Sequence, residues 1–572
     1  MAHDLVIRGG TVIDGTGNPR RSADIAVTAG KISDIGRITA RGARELDANG
    51  AIVSPGFVDI HTHYDGQATW ASRMAPSSHH GVTTVVMGNC GVGFAPVRAK
   101  DHQKLVELME GVEDIPGAAL HEGLTWEWES FGDFLDYLGK RRYDMDVAAQ
   151  LPHGPLRLYV MGERGATREM ATPDDIAQMR KIAAEAMRVG AIGFSSSRTL
   201  NHRSSKGDPT PSLTAAYDEL VGIAMGMKDA GRGVIELISD FGDIDAEWHI
   251  FHDMVAQSGR PLSFSLAQGL GGGAEGWKKL ITRVEQANAN GVTIRGQVAP
   301  RAIGLMLGLT ATMNPFMGHP TYRAIHMKPL AERVAIMRDP EFRAKLIAEA
   351  PEANFGAMRL MSRMDRLYWL GDPPNYEPSY EDSIAGMAAA QNRSTNEVIY
   401  DLMLRNEGRA LLYVPFANYI DGTLDACREM LISEFTVPGL GDGGAHVGTI
   451  CDASYPTYLL THWGRDRKRG DMLPLEWLIK RQSADTARAV GLLDRGVLAP
   501  GMRADINLID FANLNTCSPA IVNDLPAGSA RLNQNARGYL ATIVAGEVTY
   551  ENGNPTDALP GRLVRGAQSA PS

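Results

Sequence analysis

Between Asp4 and Val53 the apolar positions fall in short alternating runs cut by turns: Leu5-Val6-Ile7, Gly9-Gly10, Thr11-Val12-Ile13, Asp14-Gly15, Ile25-Ala26-Val27, Gly30 and Ile32-Ser33-Asp34-Ile35. A period of two with glycine punctuation predicts strands joined by hairpins. After Pro55-Gly56 the texture changes. Short apolar runs now alternate with longer segments of helical period, such as Asp174 to Val189 with Ile176, Met179, Ile182, Ala183 and Met187 on one side. Alternation of this kind predicts parallel βα units. The candidate strands are Phe57–His61, Thr83–Met87, Val147–Leu151, Ala191–Ser195, Val234–Ile238, Leu262–Leu266, Val292–Gln297 and Thr436–Leu440. Eight such strands predict an α/β chain closed into a (β/α)8 TIM-like barrel.

Hairpin texture returns from Val497 to Tyr550, in Ile506-Asn507-Leu508-Ile509 and in Ala541 to Val548. The two ends of the chain are therefore expected to pair into one small β-domain beside the barrel. The stretch 301–432 is too long for a loop between barrel strands, and its Met- and Pro-rich helical texture predicts an inserted helical subdomain or lid. The expected organisation is a first β-part over 1–55, a barrel over 56–490 with the insertion at about 301–432, a second β-part over 491–560, and a frayed, flexible tail over 561–572.

Composition narrows the class. With 44% hydrophobic and 22% charged residues in 572, the chain has the makings of a large globular core. A formal net charge of −10 and no basic run argue against nucleic acid as a partner. Four scattered cysteines, Cys90, Cys427, Cys451 and Cys517, make no disulfide framework and fit a reducing compartment. No basic-then-apolar leader and no apolar run of spanning length appears, so a cytoplasmic protein without membrane insertion is expected. A homo-oligomer remains open.

The strongest local signal is Val53-Ser-Pro-Gly-Phe-Val-Asp-Ile-His-Thr-His63. Spacing by two puts the imidazoles of His61 and His63 on one side of a strand end. At the C-terminal mouth of a parallel barrel, such a pair is suited to chelating zinc. The surroundings of these histidines resemble the first barrel strand of the amidohydrolase superfamily. Gly81-Val-Thr-Thr-Val-Val-Met-Gly-Asn-Cys-Gly-Val-Gly-Phe-Ala-Pro96, Glu185-Ala-Met-Arg-Val-Gly-Ala-Ile-Gly-Phe194, Gly441-Asp-Gly-Gly-Ala-His446 and Gly496-Val-Leu-Ala-Pro-Gly-Met-Arg-Ala-Asp505 resemble its N-acyl-D-amino-acid deacylase (D-aminoacylase) branch.

That resemblance implies a metal-dependent hydrolase of amide-type C–N bonds in small molecules. It assigns metal-ligand roles to His61, His63, Cys90 and Asp442, and gives Asp442 the proton transfers as well. The chain also departs from the family pattern. Histidines expected at the ends of the fifth and sixth strands are missing, with Ile238 and Leu266 aligned to their places, and Phe194-Ser-Ser-Ser197 offers no bridging lysine. A site for one zinc ion per chain is the consequence, with Glu236 or Asp240 as candidate replacements on the fifth strand. The lysine and tyrosine that hold a substrate carboxylate in the family are replaced by Gln268 and Gln297, with Arg198 and Arg295 as alternative cations. His153 and His446 are further candidates for the pocket wall. Two readings compete with hydrolysis: isomerase or lyase chemistry on the same site, and a catalytically silent binding relative.

Overall fold

The computed structural model describes residues 3–270, 272–352 and 363–571. Its centre is an eight-stranded parallel sheet whose members we number β1 to β8: Phe57–Asp59, Val82–Met87, Asp146–Pro152, Gly193–Arg198, Val234–Ser239, Leu262–Ser265, Ile294–Val298 and Thr436–Pro438. Neighbours pair in sequence order from β1 to β8. The sheet curls back on itself where the first and last strands meet: His63 N donates to Gly443 O (2.7 Å) and Asp442 N to His61 O (3.0 Å). All eight strands foreseen in the sequence are present.

Alternation sorts the strand residues. Val58, Ile60, Val86, Ala148, Ile192 and Val437 pack together inside the barrel, with Val234 against them, while Phe57, Val85, Ile235, Phe264 and Val298 join the larger core between sheet and helices. The helix after β3 that leads into β4 is started and stopped by local chemistry. In Pro173–Val189, Thr172 and Asp175 form a reciprocal capping box, Pro173 takes the first turn, and Gly190 ends the helix at a φ of +116°. Met179, Ala183, Ala186 and Met187 form its buried face.

Both chain ends build a nine-stranded sheet beside the barrel, in which Ile506–Ile509 lies antiparallel to Ile52–Pro55. The segment between β7 and β8 has its own core, with Leu307, Phe316, Tyr322, Leu346, Ile399 and Tyr400 buried together. It is not helical throughout. Ile303–Leu307, Leu412–Ala417 and Tyr368–Trp369 form a three-stranded sheet. These strands escape a sequence reading because runs of two to six apolar residues carry no distinguishing period.

The tail requires a correction. Residues 561–571 are not frayed: Gly561 and Tyr143 exchange backbone hydrogen bonds, Val147 N donates to Arg562 O (3.0 Å), and Val564 is buried in the barrel interior cluster. Polar, small-residue composition suggested fraying, yet this stretch pairs along β3 and seals the barrel's N-terminal end. Among the described residues, no helix is long and apolar enough to cross a membrane.

Candidate metal centre

His61 and His63 reach the barrel mouth by a break in regularity. Val58 and Ile60 point inward, so strict alternation past Asp59 would send His61 outward. The regular strand stops there and His61 N donates instead to Asp59 Oδ1 (3.1 Å). Both rings then face the cavity, with centroids 5.4 Å apart. Cys90 stands in the turn after β2 in a left-handed conformation (φ +54°), and its N–H donates to Glu236 Oε2 on β5 (2.8 Å). Asp442, after β8, is likewise left-handed at φ +47°. Non-glycine residues held there store roughly 1–3 kcal/mol each, a strain that concentrates at functional sites. Gly444 permits this approach: a Cβ on it would lie 2.8 Å from His63 O.

The donor atoms converge. His61 Nε2 lies 3.4 Å from Cys90 Sγ and 3.3 Å from Asp442 Oδ1, and His63 Nε2 lies 3.6 Å from the same carboxylate oxygen. His61, His63 and Cys90 together offer three ligand atoms within 4.8 Å of one another. Tetrahedral coordination with arms of about 2.1 Å has edges of about 3.4 Å, so these separations suit one ion of zinc's size. The far nitrogen of each ring faces a buried oxygen. Gln297 Oε1 sits 2.8 Å from His61 Nδ1, and Glu113 Oε1 sits 3.1 Å from His63 Nδ1. The Gln297 hydrogen bond fixes the His61 tautomer that leaves Nε2 free for a metal, whereas Glu113 faces His63 Nδ1 by charge and without a hydrogen bond.

Electrostatics follow from burial and neighbours. Burial works to lower both imidazoles; it prevails at His61, which falls to about 4. At His63, the carboxylates of Glu113 and Asp442 outweigh burial and carry the ring up to about 9. Burial alone would raise Asp442, but the two histidines hold it far below the usual carboxylate range. Burial, reinforced by Glu236, pushes the Cys90 thiol well up, and burial carries Glu236 to about 8. A cation binding here displaces protons from His63 and Cys90, so its affinity rises with pH.

Several sequence candidates lie elsewhere. His153 is fully buried behind the sheet, bonded to Ser196 Oγ and Glu219 Oε1 (both 2.8 Å). Arg198 makes a bidentate pair with Glu247 (2.6 and 2.7 Å) and donates to Ala215 O. Arg295 lies toward the N-terminal end of β7, away from the mouth, and donates to Glu434 O. Gln268 ties the end of β6 to the insertion through Asp421, Ile420 and Asn418. Asp240 staples Thr199 and Leu200. The Leu266 alignment also needs revision, because Leu262, Phe264 and Leu266 all pack in the outer core, leaving Ser263 and Ser265 on the inner side.

Others do arrive. Gln297 reaches the centre, bonded to His61 and to Ser263 Oγ rather than left open. Glu236 lies below the histidines, its Oε1 3.8 Å from His61 Nδ1 and without a hydrogen-bond partner among the described residues. His446 stands at the rim, 3.9 Å from Glu113 Oε2. The sequence reading missed Glu113 and His202. Glu113 ends the helix His102–Glu113, and His202 follows β4 and bonds Ser197 Oγ at 2.9 Å. Neither carries a local signal, since each acquires its partner through chain closure over long separations or through a loop.

Comparison with known proteins agrees with this architecture. A D-aminoacylase of Alcaligenes xylosoxydans xylosoxydans is 37% identical over 193 residues, which cover 34% of this chain and 37% of that relative. The match thus spans little more than a third of the relative's length. A crystal structure of D-aminoacylase covers 98% of this chain and all of its own at 23% identity and a TM-score of 0.65. The N-acyl-D-glutamate deacylase of Bordetella bronchiseptica, solved with zinc and a phosphonate inhibitor, covers 99% of this chain and all of its own at 22% identity, also with a TM-score of 0.65. These two likenesses establish the fold. The profile of the Amidohydrolase family matches residues 44–550, nearly the whole chain, and the protein belongs to that family.

Proposed function

We propose that this protein hydrolyses an amide-type C–N bond in a small molecule, in the manner of a D-aminoacylase, with one zinc ion held by His61, His63, Cys90 and Asp442. The observation that carries the reading is the approach of His61 to Cys90 and of Asp442 to both histidines at 3.3–3.6 Å, with His61 hydrogen-bonded from behind by Gln297 and His63 faced by the Glu113 carboxylate. A bound divalent cation at this position supplies a more acidic water and a polarised carbonyl oxygen. The chain's own groups do the remaining work. Asp442 turns one oxygen to the metal donors and keeps the other for the proton it accepts from the attacking water and returns to the leaving nitrogen. Its depressed affinity for protons keeps it ionised. Gln297 holds the His61 imidazole through its hydrogen bond, and the Glu113 carboxylate draws the His63 ring by charge. The D-aminoacylase similarity supports an N-acyl amino acid as the substrate class, and the free cysteines fit a cytoplasmic location.

Metal analysis of the purified protein, followed by product analysis over acyl-D-amino acids and cyclic amides, tests this. The expected result is about one zinc per chain, lost in His61→Ala and His63→Ala, with hydrolysis of at least one amide. A protein that binds no metal overturns the reading, and rearranged rather than hydrolysed products overturn the reaction type.

A further inference from the structure

The barrel's fourth and fifth strands run in register, with Ser195 opposite Glu236 and Ser197 opposite Ile238. Ser195 and Ser197 face inward, because Ser196 between them bonds His153 behind the sheet. Ile238, where an imidazole is missing from β5, therefore has Ser197 as its lateral neighbour, one step nearer the mouth than Glu236. Ser197 Oγ holds His202 Nδ1 at 2.9 Å. The loop that delivers His202 is fixed at both ends, by Thr199 on Asp240 and by a backbone bridge between Arg203 and Pro209. Burial acts most strongly on the ring, and the charged groups felt after it are, in order, His446, His63, Asp442 and His61, which puts His202 on the metal-donor side of the barrel.

The hydrogen bond fixes the tautomer by inference from the network. Ser197 is fully buried, and its hydroxyl has no acceptor other than His202 among the described residues. Donating to Nδ1 satisfies it and leaves the proton on Nε2. Nε2 makes no hydrogen bond to a described residue.

We infer that His202 is a catalytic residue of this site, its Nε2–H donating to the carbonyl oxygen of the substrate amide as that oxygen gains charge. The inference rests on the hydrolytic reading above. It places a hydrogen-bond donor in the loop after β4, beside the strand position where Ile238 stands in place of an imidazole. A neutral imidazole held in place by Ser197 can donate to a developing oxyanion with little reorganisation, and removing one such donor costs roughly 10²–10³ in kcat.

The test uses the zinc-loaded full chain, with His202→Ala and His202→Gln. Expected are unchanged zinc content in both variants, a fall of kcat by about 100-fold in His202→Ala with KM altered far less, and partial recovery in His202→Gln, which keeps a donor. Methylphosphonate, which presents anionic oxygens to the same place, should bind His202→Ala about tenfold or more weakly than wild type, since a hydrogen bond to a charged group is lost. Equal methylphosphonate affinity overturns the proposal whether or not any amide is cleaved. Loss of zinc in His202→Ala also overturns it, because His202 would then be a ligand. A wild type that cleaves no amide yet shows the weakened phosphonate binding in His202→Ala leaves the donor role standing and the hydrolytic reading refuted.

Discussion

Glu113 Oε1 lies 3.1 Å from His63 Nδ1, both residues almost wholly buried, although they are separated by a whole βα unit of the chain. This carboxylate faces the back of His63 as Gln297 faces the back of His61, acting by charge where Gln297 acts through a hydrogen bond. Glu113→Gln keeps the shape and removes the charge, and should weaken zinc binding roughly 10- to 100-fold. Competition against a chromogenic chelator measures this directly, and an affinity equal to wild type would refute that role of the charge.

Removing the metal should cost stability as well as activity. An ion that binds only the folded chain stabilises it by about 2.7 kcal/mol at a hundredfold excess over its Kd. Thermal melting should therefore shift upward by several degrees between chelator-treated and zinc-loaded protein. In His61→Ala the two melting curves should coincide. If the wild-type curves coincide as well, the donors of the barrel mouth do not bind zinc in solution.

Asp442→Asn separates binding from proton transfer. The amide oxygen can still face His61 and His63 across the 3.3 and 3.6 Å gaps, but it cannot accept a proton. Turnover should fall roughly 10²- to 10⁴-fold with most of the zinc retained. Stopped turnover with full metal occupancy supports the assignment, and wild-type turnover removes Asp442 from the mechanism.

The unequal legibility of fold and site has a physical basis. The barrel strands were readable because a strand's alternation is local and is bounded by turns, and all eight emerged near their true positions. His61, His63, Cys90 and Asp442 stand out in the sequence because they sit in short motifs that resemble the family's, and the fold brings these four side chains together, with Cys90 and Asp442 in left-handed conformations. Arg198 and Arg295 are singled out by charge, and charge does not reveal a partner. Arg198 is consumed by Glu247, and Arg295 lies on the inner side of β7 but toward the wrong end. Leu266 was assigned by alignment where strand parity assigns it outward. Glu113 and His202 were invisible because their function depends on which loops meet above the barrel, which no local period encodes.

Stability should fall as the medium is acidified, and His80 is one identifiable cause. The ring is fully buried, with Nε2–H donating to Gln534 O (2.9 Å) and Nδ1 facing Thr457 Oγ1 (2.8 Å). Burial, with the neighbouring His79, lowers its affinity for protons to about 3. An unfolded chain protonates this histidine near its ordinary 6.5, while the folded one resists until about 3. Between those values the unfolded state binds more protons, so stability is intact above pH 6.5 and is lost progressively below it, at no more than about 1.4 kcal/mol per pH unit for one proton. Denaturant unfolding at pH 5.0–6.5 should show this slope, reduced by up to one proton's worth in His80→Gln, which offers one donor and one acceptor but does not titrate. An unchanged slope would assign the acid sensitivity to other groups.

The C-terminal tail gives the sharpest contrast between composition and structure. Gly561 N donates to Tyr143 O (2.8 Å), Val147 N to Arg562 O (3.0 Å), Val564 N to Val147 O (2.8 Å), Gly566 N to Gly190 O (2.9 Å) and Leu493 N to Gln568 O (2.9 Å). Arg562 N donates to Asp146 Oδ1, a carboxylate that also receives Arg495 and Arg503. Truncation before Gly561 exposes the edge of β3, uncovers the barrel interior around Val564, and leaves Asp146 and its two arginines with one fewer partner. Each buried hydrogen bond contributes about 1 kcal/mol, and a donor or acceptor left unmet costs about 1–3 kcal/mol. The truncated chain should therefore lose several kcal/mol, read as a large drop in melting temperature or as insoluble expression. Truncation after Gln568 keeps every one of these bonds and should melt close to wild type. If the longer truncation also melts like wild type, the tail contributes no stability and its pairing along β3 is dispensable.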